Sequence, residues 1–125
     1  MNGDEVLASF NGRYRTFNKK WTYTGSLSAV NMAVAGFYYM GKDDCVKCYY
    51  CEKELEGWEN DDDPYDEHRT HQPKCPYILM YSSPPKKILL HEMFELEVQS
   101  MLFKMEKRHQ EKMDKLTLAL KKRKI

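Results

Sequence analysis

The spacing of apolar positions divides the chain into a first part made of short elements and a long helical tail. Up to residue 81, apolar residues stand in short groups between Gly, Pro and polar residues, which is typical of small elements joined by turns. From Lys86 to Ile125 there is no Pro and no Gly. Such a run predicts one helix of roughly 60 Å, at 1.5 Å per residue.

Apolar residues in the tail recur every three or four positions, with an interruption at His109. This spacing places them on one face of the predicted helix, close to a heptad seam. Because a lone helix would expose this face to water, the pattern predicts a partner helix, from a second copy or from a different protein. The predicted interface residues are Leu90, Phe94, Val98, Met101, Leu102, Met105, Met113, Leu116 and Leu120.

The first part of the chain predicts an α+β domain. Helices are expected over residues 6–16 and 28–35, the second ending at Gly36. Segments 37–40, 46–50 and 52–55 are short and rich in aromatic or β-branched residues, which predicts a small three-stranded antiparallel sheet. Asp63 and Pro64 are typical of a helix start, and Pro73 predicts the end of that helix.

A Ser-Ser-Pro-Pro stretch at residues 82–85 marks the clearest boundary in the sequence. It predicts four segments: a flexible N-terminus at 1–9, a compact domain at 10–81, a linker at 82–87 and the long amphipathic helix at 88–125. The chain opens with neither a basic start nor an apolar stretch of signal-peptide length. We therefore expect no membrane insertion, and a reducing compartment.

Charge is distributed unevenly between the two parts. Residues 1–75 carry nine Lys/Arg against thirteen Asp/Glu, whereas residues 104–125 carry nine against three. Between residues 52 and 67 there are nine carboxylates and a single base, Lys53. Such a cluster repels nucleic-acid phosphates and attracts cationic peptides, so direct recognition of bases is not expected from the domain.

Four cysteines and two histidines predict a metal site. Without a secretory context, metal binding is favoured over disulfides. Cys48-x2-Cys51 can present two thiolates to one tetrahedral ion, completed by His68 and Cys75 in a closed structural zinc site. Spacing alone leaves two alternatives open, since Cys45-x2-Cys48 is also a permissible pair and His71 is as near to Cys75 as His68 is.

The pattern Cys48-x2-Cys51-x16-His68-x6-Cys75 resembles that of the baculovirus IAP repeat (BIR) domain of the inhibitor-of-apoptosis family. Residues 13–17 (Arg-Tyr-Arg-Thr-Phe), 32–37 (Met-Ala-Val-Ala-Gly-Phe) and 53–64 are similar to other signatures of that domain. The resemblance implies short helices around a three-stranded sheet. It also implies one structural Zn²⁺ held by those four ligands, with Cys45 and His71 outside the metal site.

The resemblance further implies a groove beside the last strand that accepts the free N-terminus of a peptide. Carboxylates would hold the α-ammonium, a small apolar socket would take an alanine methyl, and Lys53 and His71 would face a phosphate. The implied peptide-binding residues are Lys53, Leu55, Glu56, Trp58, Asp61, Asp62 and His71. The loop at residues 41–44 is short, and it lacks an acidic position that the resemblance would put near the second peptide residue.

Family members with one BIR domain and one long helix imply a role in mitosis. The expected function is a subunit of the chromosomal passenger complex that reads a histone tail beginning Ala-Arg-phosphoThr. Its helix would bundle with inner-centromere-protein-like and borealin-like helices and so direct Aurora kinase in mitosis and cytokinesis; alone, the chain would form a homodimer. Expected locations are the nucleus and centromeres, the spindle midzone and midbody, and a cytoplasmic pool.

The alternative expectation is an apoptosis inhibitor that uses the same groove for caspases or for the N-termini of their antagonists. A dedicated caspase inhibitor typically carries repeated BIR domains or a RING, and this sequence has one BIR pattern. An enzyme is not expected, because no set of nucleophile, base and orienting residue can be assembled.

Overall fold

A computed structural model describes residues 7–123. It is a small α+β domain followed by one long helix, as the sequence predicts. In chain order the elements are α1 (Phe10–Arg15), a 3₁₀ turn (Gly25–Leu27), α2 (Ala29–Val34), β1 (Phe37–Tyr39), β2 (Val46–Cys48), β3 (Glu54–Leu55), α3 (Pro64–His71), α4 (Pro76–Met80) and α5 (Leu90–Arg123).

Side-chain caps start the first two helices. Ser9 Oγ accepts a hydrogen bond from the Gly12 amide at 3.0 Å, and Ser28 Oγ accepts one from the Asn31 amide at 3.2 Å. The predicted helix at 28–35 is thus confirmed, with Ser28 as its N-cap. The helix predicted over 6–16 is shorter, and Val6 lies outside the described residues.

Gly36 ends α2 because its backbone has φ +97°, a conformation that L side chains rarely adopt. A Cβ there would also meet the Tyr77 ring at 3.3 Å. The glycine therefore allows the chain to turn directly from α2 into β1 beneath Tyr77.

The three strands form an antiparallel sheet in the order β1-β2-β3. Phe37 pairs with Cys48, and Val46 pairs with Leu55. All three strands are shorter than predicted. The last two are shorter because the chain makes a tight turn over residues 49–53, which we call the knuckle. There the Glu52 amide donates to the Cys48 carbonyl at 2.9 Å, with Glu52 at φ +67°.

The core is largely aromatic and includes one buried guanidinium. Arg13 is 2% exposed, donates from Nε to the Ala33 carbonyl at 2.9 Å, and contacts Tyr50 Oη at 3.3 Å. Tyr50 in turn stacks on Tyr77 with ring centroids 4.7 Å apart. These contacts join α1, α2, the knuckle and α4 into one unit. The hydrogen bonds of Arg13 compensate for the burial of its charge.

The long helix α5 has a docked half and an exposed half. Leu96 and Ser100 are 1% and 2% exposed because they face the domain. Ion pairs from Lys107 and Arg108 to Glu52 extend this contact by about two turns. All described side chains from residue 109 to 122 are exposed. In the part of the chain that the structure describes, no helix is long and apolar enough to cross a membrane.

Candidate metal centre and peptide groove

Four potential ligands converge at the junction of the sheet, α3 and α4. Cys48 ends β2, Cys51 lies in the knuckle, His68 is on α3 and Cys75 caps α4. Their ligand atoms all lie within 4.8 Å of one another, and all four residues are buried. Of the alternatives that spacing leaves open, the fold selects Cys51 over Cys45 and His68 over His71.

The geometry of this cluster fits a single tetrahedral zinc ion. The Cys48 and Cys75 sulfurs are 3.9 Å apart, and Cys51 Sγ lies 3.5 Å from His68 Nε2. Zinc–sulfur bonds of about 2.3 Å place two tetrahedral sulfurs about 3.8 Å apart. Three sulfurs and one imidazole are a structural zinc set with no position left for a reacting water.

Neighbouring groups orient the ligands. His68 Nδ1 lies 2.9 Å from the Ala35 carbonyl oxygen, which favours the tautomer protonated at Nδ1 and leaves the Nε2 lone pair free to bind a metal. The Tyr50 amide donates to Cys48 Sγ at 3.2 Å. Burial acts to raise the pKa of Cys75, but hydrogen bonds from Cys48, Cys51 and the backbone lower it overall, whereas burial raises the pKa of Cys48. A bound cation would favour the thiolate form of both.

Cys45 lies outside the cluster, immediately before β2. Burial and the carboxylates of Glu54 and Glu56 raise the pKa of its thiol. A reactive cysteine needs the opposite environment, one that stabilises the thiolate. Cys45 is therefore poorly suited to act as a nucleophile.

A second site lies beside β3, as a cavity of about 270 Å³. Two apolar side chains form one part of its wall, carboxylates form another, and a histidine completes it. The lining residues are Leu55, Glu56, Gly57, Trp58, Glu59, Asp62, Glu67 and His71. The fold thus brings together five of the seven peptide-binding residues expected from the sequence; Lys53 and Asp61 do not line the cavity.

The Asp44 carboxylate fixes the backbone of this groove by accepting hydrogen bonds from two of its amides. Its Oδ1 accepts a hydrogen bond from the Gly57 amide at 2.9 Å, and its Oδ2 accepts one from the Trp58 amide at 2.8 Å. Tyr23 Oη donates to the same Oδ2 at 3.0 Å. Burial acts to raise the pKa of Asp44, but these hydrogen bonds lower it overall. Sequence reasoning missed Asp44, because it reads as one more acid in a polar loop.

Two side chains in the groove already have protein partners. His71 Nε2 lies 3.3 Å from Glu67 Oε2, one helical turn earlier on α3. Asp62 Oδ2 accepts a hydrogen bond from the Glu59 amide at 2.9 Å, which tightens the turn after Trp58. Trp58 itself is 8% exposed and meets Phe37 edge to face, so its ring is anchored to the core.

The helix α5 presents an apolar face on the side opposite its contact with the domain. The predicted interface residues lie here, and Leu90, Phe94 and Met101 are 67%, 65% and 62% exposed. The other six are also exposed: Val98, Leu102, Met105, Met113, Leu116 and Leu120. Large exposed apolar faces of this kind are typical of interaction surfaces.

The family model for the BIR (Inhibitor of Apoptosis) domain matches residues 13–79. The chain belongs to the BIR family. Its BIR domain therefore contains the knuckle, the metal ligands and the groove, and all of α5 lies beyond it. The resemblance inferred from the cysteine and histidine spacing is confirmed.

The curated relatives include baculoviral IAP repeat-containing proteins and a chromosomal passenger complex protein. Baculoviral IAP repeat-containing protein 5.2-B of Xenopus laevis is 40% identical over 100 residues, covering 76% of this chain and 62% of the relative. The chromosomal passenger complex protein bir1 of Schizosaccharomyces pombe is 36% identical over 85 residues, covering 62% of this chain and 8% of the relative. The chain is thus similar to proteins named Baculoviral IAP repeat-containing protein 5 (survivin).

A solved structure shares the BIR fold. The crystal structure of DIAP1 BIR1 bound to a Grim peptide matches with a TM-score of 0.55 and 27% sequence identity. The match covers 71% of this chain and 90% of that one. It supports the BIR assignment from backbone geometry, independently of the sequence motifs.

Proposed function

We propose that this chain is a survivin-like subunit of a chromosomal passenger complex, and that its BIR groove binds the free N-terminus of a histone tail beginning Ala-Arg-Thr. The observation that carries the proposal is the composition of the 270 Å³ cavity, where Leu55 and Trp58 face the same space as Glu56 and Asp62. The apolar pair suits an alanine methyl, and the carboxylates suit an α-ammonium and a basic second residue.

Phosphorylation of the threonine is the finer part of the proposal. Among the residues that line the cavity, His71 is the basic one, and it is half exposed. A phosphate adds up to two negative charges and strong acceptor oxygens, which a protonated imidazole can bind. Lys53, half-buried and outside the cavity wall, would contribute through longer-range attraction.

The exposed apolar face of α5 is the proposed docking surface for partner helices. Its residues continue beyond the domain, where residues 109–122 are all exposed. Inner-centromere-protein-like and borealin-like helices would cover it and so bring the BIR groove and an Aurora kinase to the same site. Centromeres, the spindle midzone and the midbody are the corresponding locations, with a cytoplasmic pool and, without partners, a homodimer.

Zinc would supply structure and not reaction chemistry in this protein. Cys48, Cys51, His68 and Cys75 would hold it, and the closed donor set leaves no position for a substrate. We therefore propose a binding protein without enzymatic activity. The raised pKa of the Cys45 thiol supports this proposal, because a nucleophilic cysteine requires a lowered one.

A second candidate is an apoptosis inhibitor whose groove binds caspases or the N-termini of their antagonists. The observation that favours it is the structural match to a BIR domain bound to a Grim peptide. Both functions would use the same residues of the groove. They differ in the peptide sequence that the groove prefers and in whether α5 is needed.

Calorimetry with short peptides tests both candidates. The free Ala-Arg-Thr-Lys peptide is expected to bind, the N-acetylated peptide to bind at least about tenfold more weakly, and the threonine-phosphorylated peptide to bind more tightly. Asp62→Ala should weaken binding as acetylation does, whereas Asp66→Ala, an exposed acid outside the cavity wall, should not. Equal affinity for all three peptides would contradict histone reading. Tighter binding of a caspase-antagonist N-terminus would favour the second candidate.

A further inference from the structure

The exposed half of α5 carries a histidine in the middle of its apolar seam. His109 lies seven residues after Leu102 and seven before Leu116, so the three side chains share one face of a helix with a heptad repeat. Met105 and Met113, one turn to either side, are 58% and 44% exposed. Because α5 is unbroken through this stretch, His109 lies within the apolar face and does not end it.

We propose that His109 selects the helix that docks on this half of α5, and that the selected helix is an acidic one that places a carboxylate against the imidazole. The inference rests on the proposed docking of partner helices on α5, and it names the chemistry that such a partner must have.

The imidazole of His109 has no partner of its own. It is exposed and forms no hydrogen bond or ion pair with any element within residues 7–123. Glu106 and Lys112, three positions before and after it, are the nearest charged residues on that side of the helix, and neither pairs with it. A docked helix would take the imidazole out of water. Its two nitrogens would then stay unsatisfied unless the docked helix supplies the partner.

The charge of this half of α5 decides the kind of partner. Residues 104–125 carry nine Lys/Arg against three Asp/Glu. A second copy would bring the same positive charge, and in a parallel pair in register it would place one imidazole against the other. A carboxylate on an acidic helix instead accepts a charge-assisted hydrogen bond from a protonated imidazole. A single polar residue within an apolar seam specifies partner and register in this way, at some cost in stability.

Three synthetic peptides test the inference by calorimetry with the full chain. Two are the same acidic amphipathic helix, designed against residues 98–120, with either Glu or Leu opposite His109. The third copies residues 98–120 of this chain. At pH of about 6, the wild type should bind the Glu peptide about three- to tenfold more tightly than the Leu peptide, and the copy most weakly. In His109→Leu the preference should reverse, since the buried carboxylate then lacks its partner.

Gln110→Leu is the matched control. It adds the same apolar side chain at the next position, about 100° around the helix and so off the seam, and it should keep the wild-type preference. Raising the pH from about 6 to about 8 should reduce the wild-type preference for the Glu peptide, because histidine side chains ordinarily lose their proton in this range. The preference of His109→Leu should not change with pH. Far-ultraviolet circular dichroism verifies that α5 is intact in each variant.

The outcomes separate this inference from the proposed docking of α5. If the acidic peptides bind but the wild type shows no preference, or His109→Leu keeps it, the role of His109 is overturned and α5 keeps its docking function. Tightest binding of the copy also overturns it, because the partner would then be a second copy. If none of the three peptides binds, the docking surface proposed for α5 fails and takes this inference with it.

Discussion

Ser100 of the long helix donates its hydroxyl hydrogen to the carbonyl oxygen of Tyr50, at 2.8 Å, inside the knuckle between Cys48 and Cys51. Tyr49 Oη donates to Glu97 at 3.2 Å, and Lys104 Nζ lies 4.8 Å from the Tyr49 ring centroid. The helix thus packs on the turn that contains the metal ligand Cys51 and directly follows the ligand Cys48. We therefore expect a change at the metal site to disturb the packing of α5 on the domain.

The buried hydroxyl of Ser100 should contribute measurably to stability. In Ser100→Ala the Tyr50 carbonyl loses its partner in a buried contact, and we expect a loss of about 1–3 kcal/mol in the free energy of unfolding. Urea denaturation measures it. Thr117→Ala removes a hydroxyl from the exposed half of the same helix and should change stability by less than about 0.5 kcal/mol. Equal effects of the two would mean that Ser100 does not anchor α5.

Removal of zinc should unfold the BIR domain and release the docked half of α5. Elemental analysis should find one zinc per chain, because the structure brings together one buried Cys₃His cluster within the described residues. Chelation or Cys51→Ser should remove the fixed tertiary structure around the core aromatics, seen as loss of near-ultraviolet circular dichroism. Cys45→Ser is the control and should keep both metal and fold. A folded, zinc-free sample would contradict the assignment.

Charged substitutions on the exposed face of α5 should prevent assembly with partner helices. In Val98→Glu with Met101→Glu, two carboxylates enter a face whose residues are 52% and 62% exposed before assembly. We expect co-purification of both partners to be lost while zinc content is unchanged, since neither residue contacts the core. Lys86→Gln with Lys87→Gln makes the net charge more negative by the same amount at exposed positions before α5 and should assemble normally. Retained assembly of the first variant would place the docking surface elsewhere.

Asp44 should position the groove, so Asp44→Asn should weaken peptide binding without loss of zinc. An asparagine can accept only one of the two amide hydrogen bonds that Asp44 accepts from Gly57 and Trp58. Calorimetry with the unmodified peptide should show an affinity loss of several-fold, on the order of one lost hydrogen bond. Asp43→Asn, next to it and exposed, is the control, since asparagine also tolerates the φ of +48° found there.

The same residue gives a pH dependence with a definite sign. The pKa of Asp44 is lowered in the folded state by the hydrogen bonds that it accepts, although burial opposes them. Its stabilising contribution is therefore present above the unfolded value of about 3.9 and is lost as pH falls through the lower folded value. The stability difference between wild type and Asp44→Asn should shrink below about pH 4. A difference that grows in acid would contradict this account.

Local signals made several elements predictable. Ser28 and Gly36 bound α2, and Asp63 with Pro64 starts α3, because caps and positive φ depend on neighbouring residues alone. The sequence missed α4, whose five residues are too few for a periodic pattern to be visible. The β2 predicted from the sequence is also too long, because nothing in the local sequence distinguishes a strand residue from a residue in the knuckle.

The sequence by itself determined the family, the number of metal ligands and the amphipathic character of α5, because spacing and periodicity are properties of a linear pattern. Tertiary structure decided which residues meet. It selected Cys51 over Cys45 and His68 over His71, and it added Glu67 to the groove while leaving Lys53 outside it. It also turned Leu96 and Ser100, rather than the apolar seam, toward the domain. These choices depend on distances between residues far apart in the chain, and only packing around a shared core sets those distances.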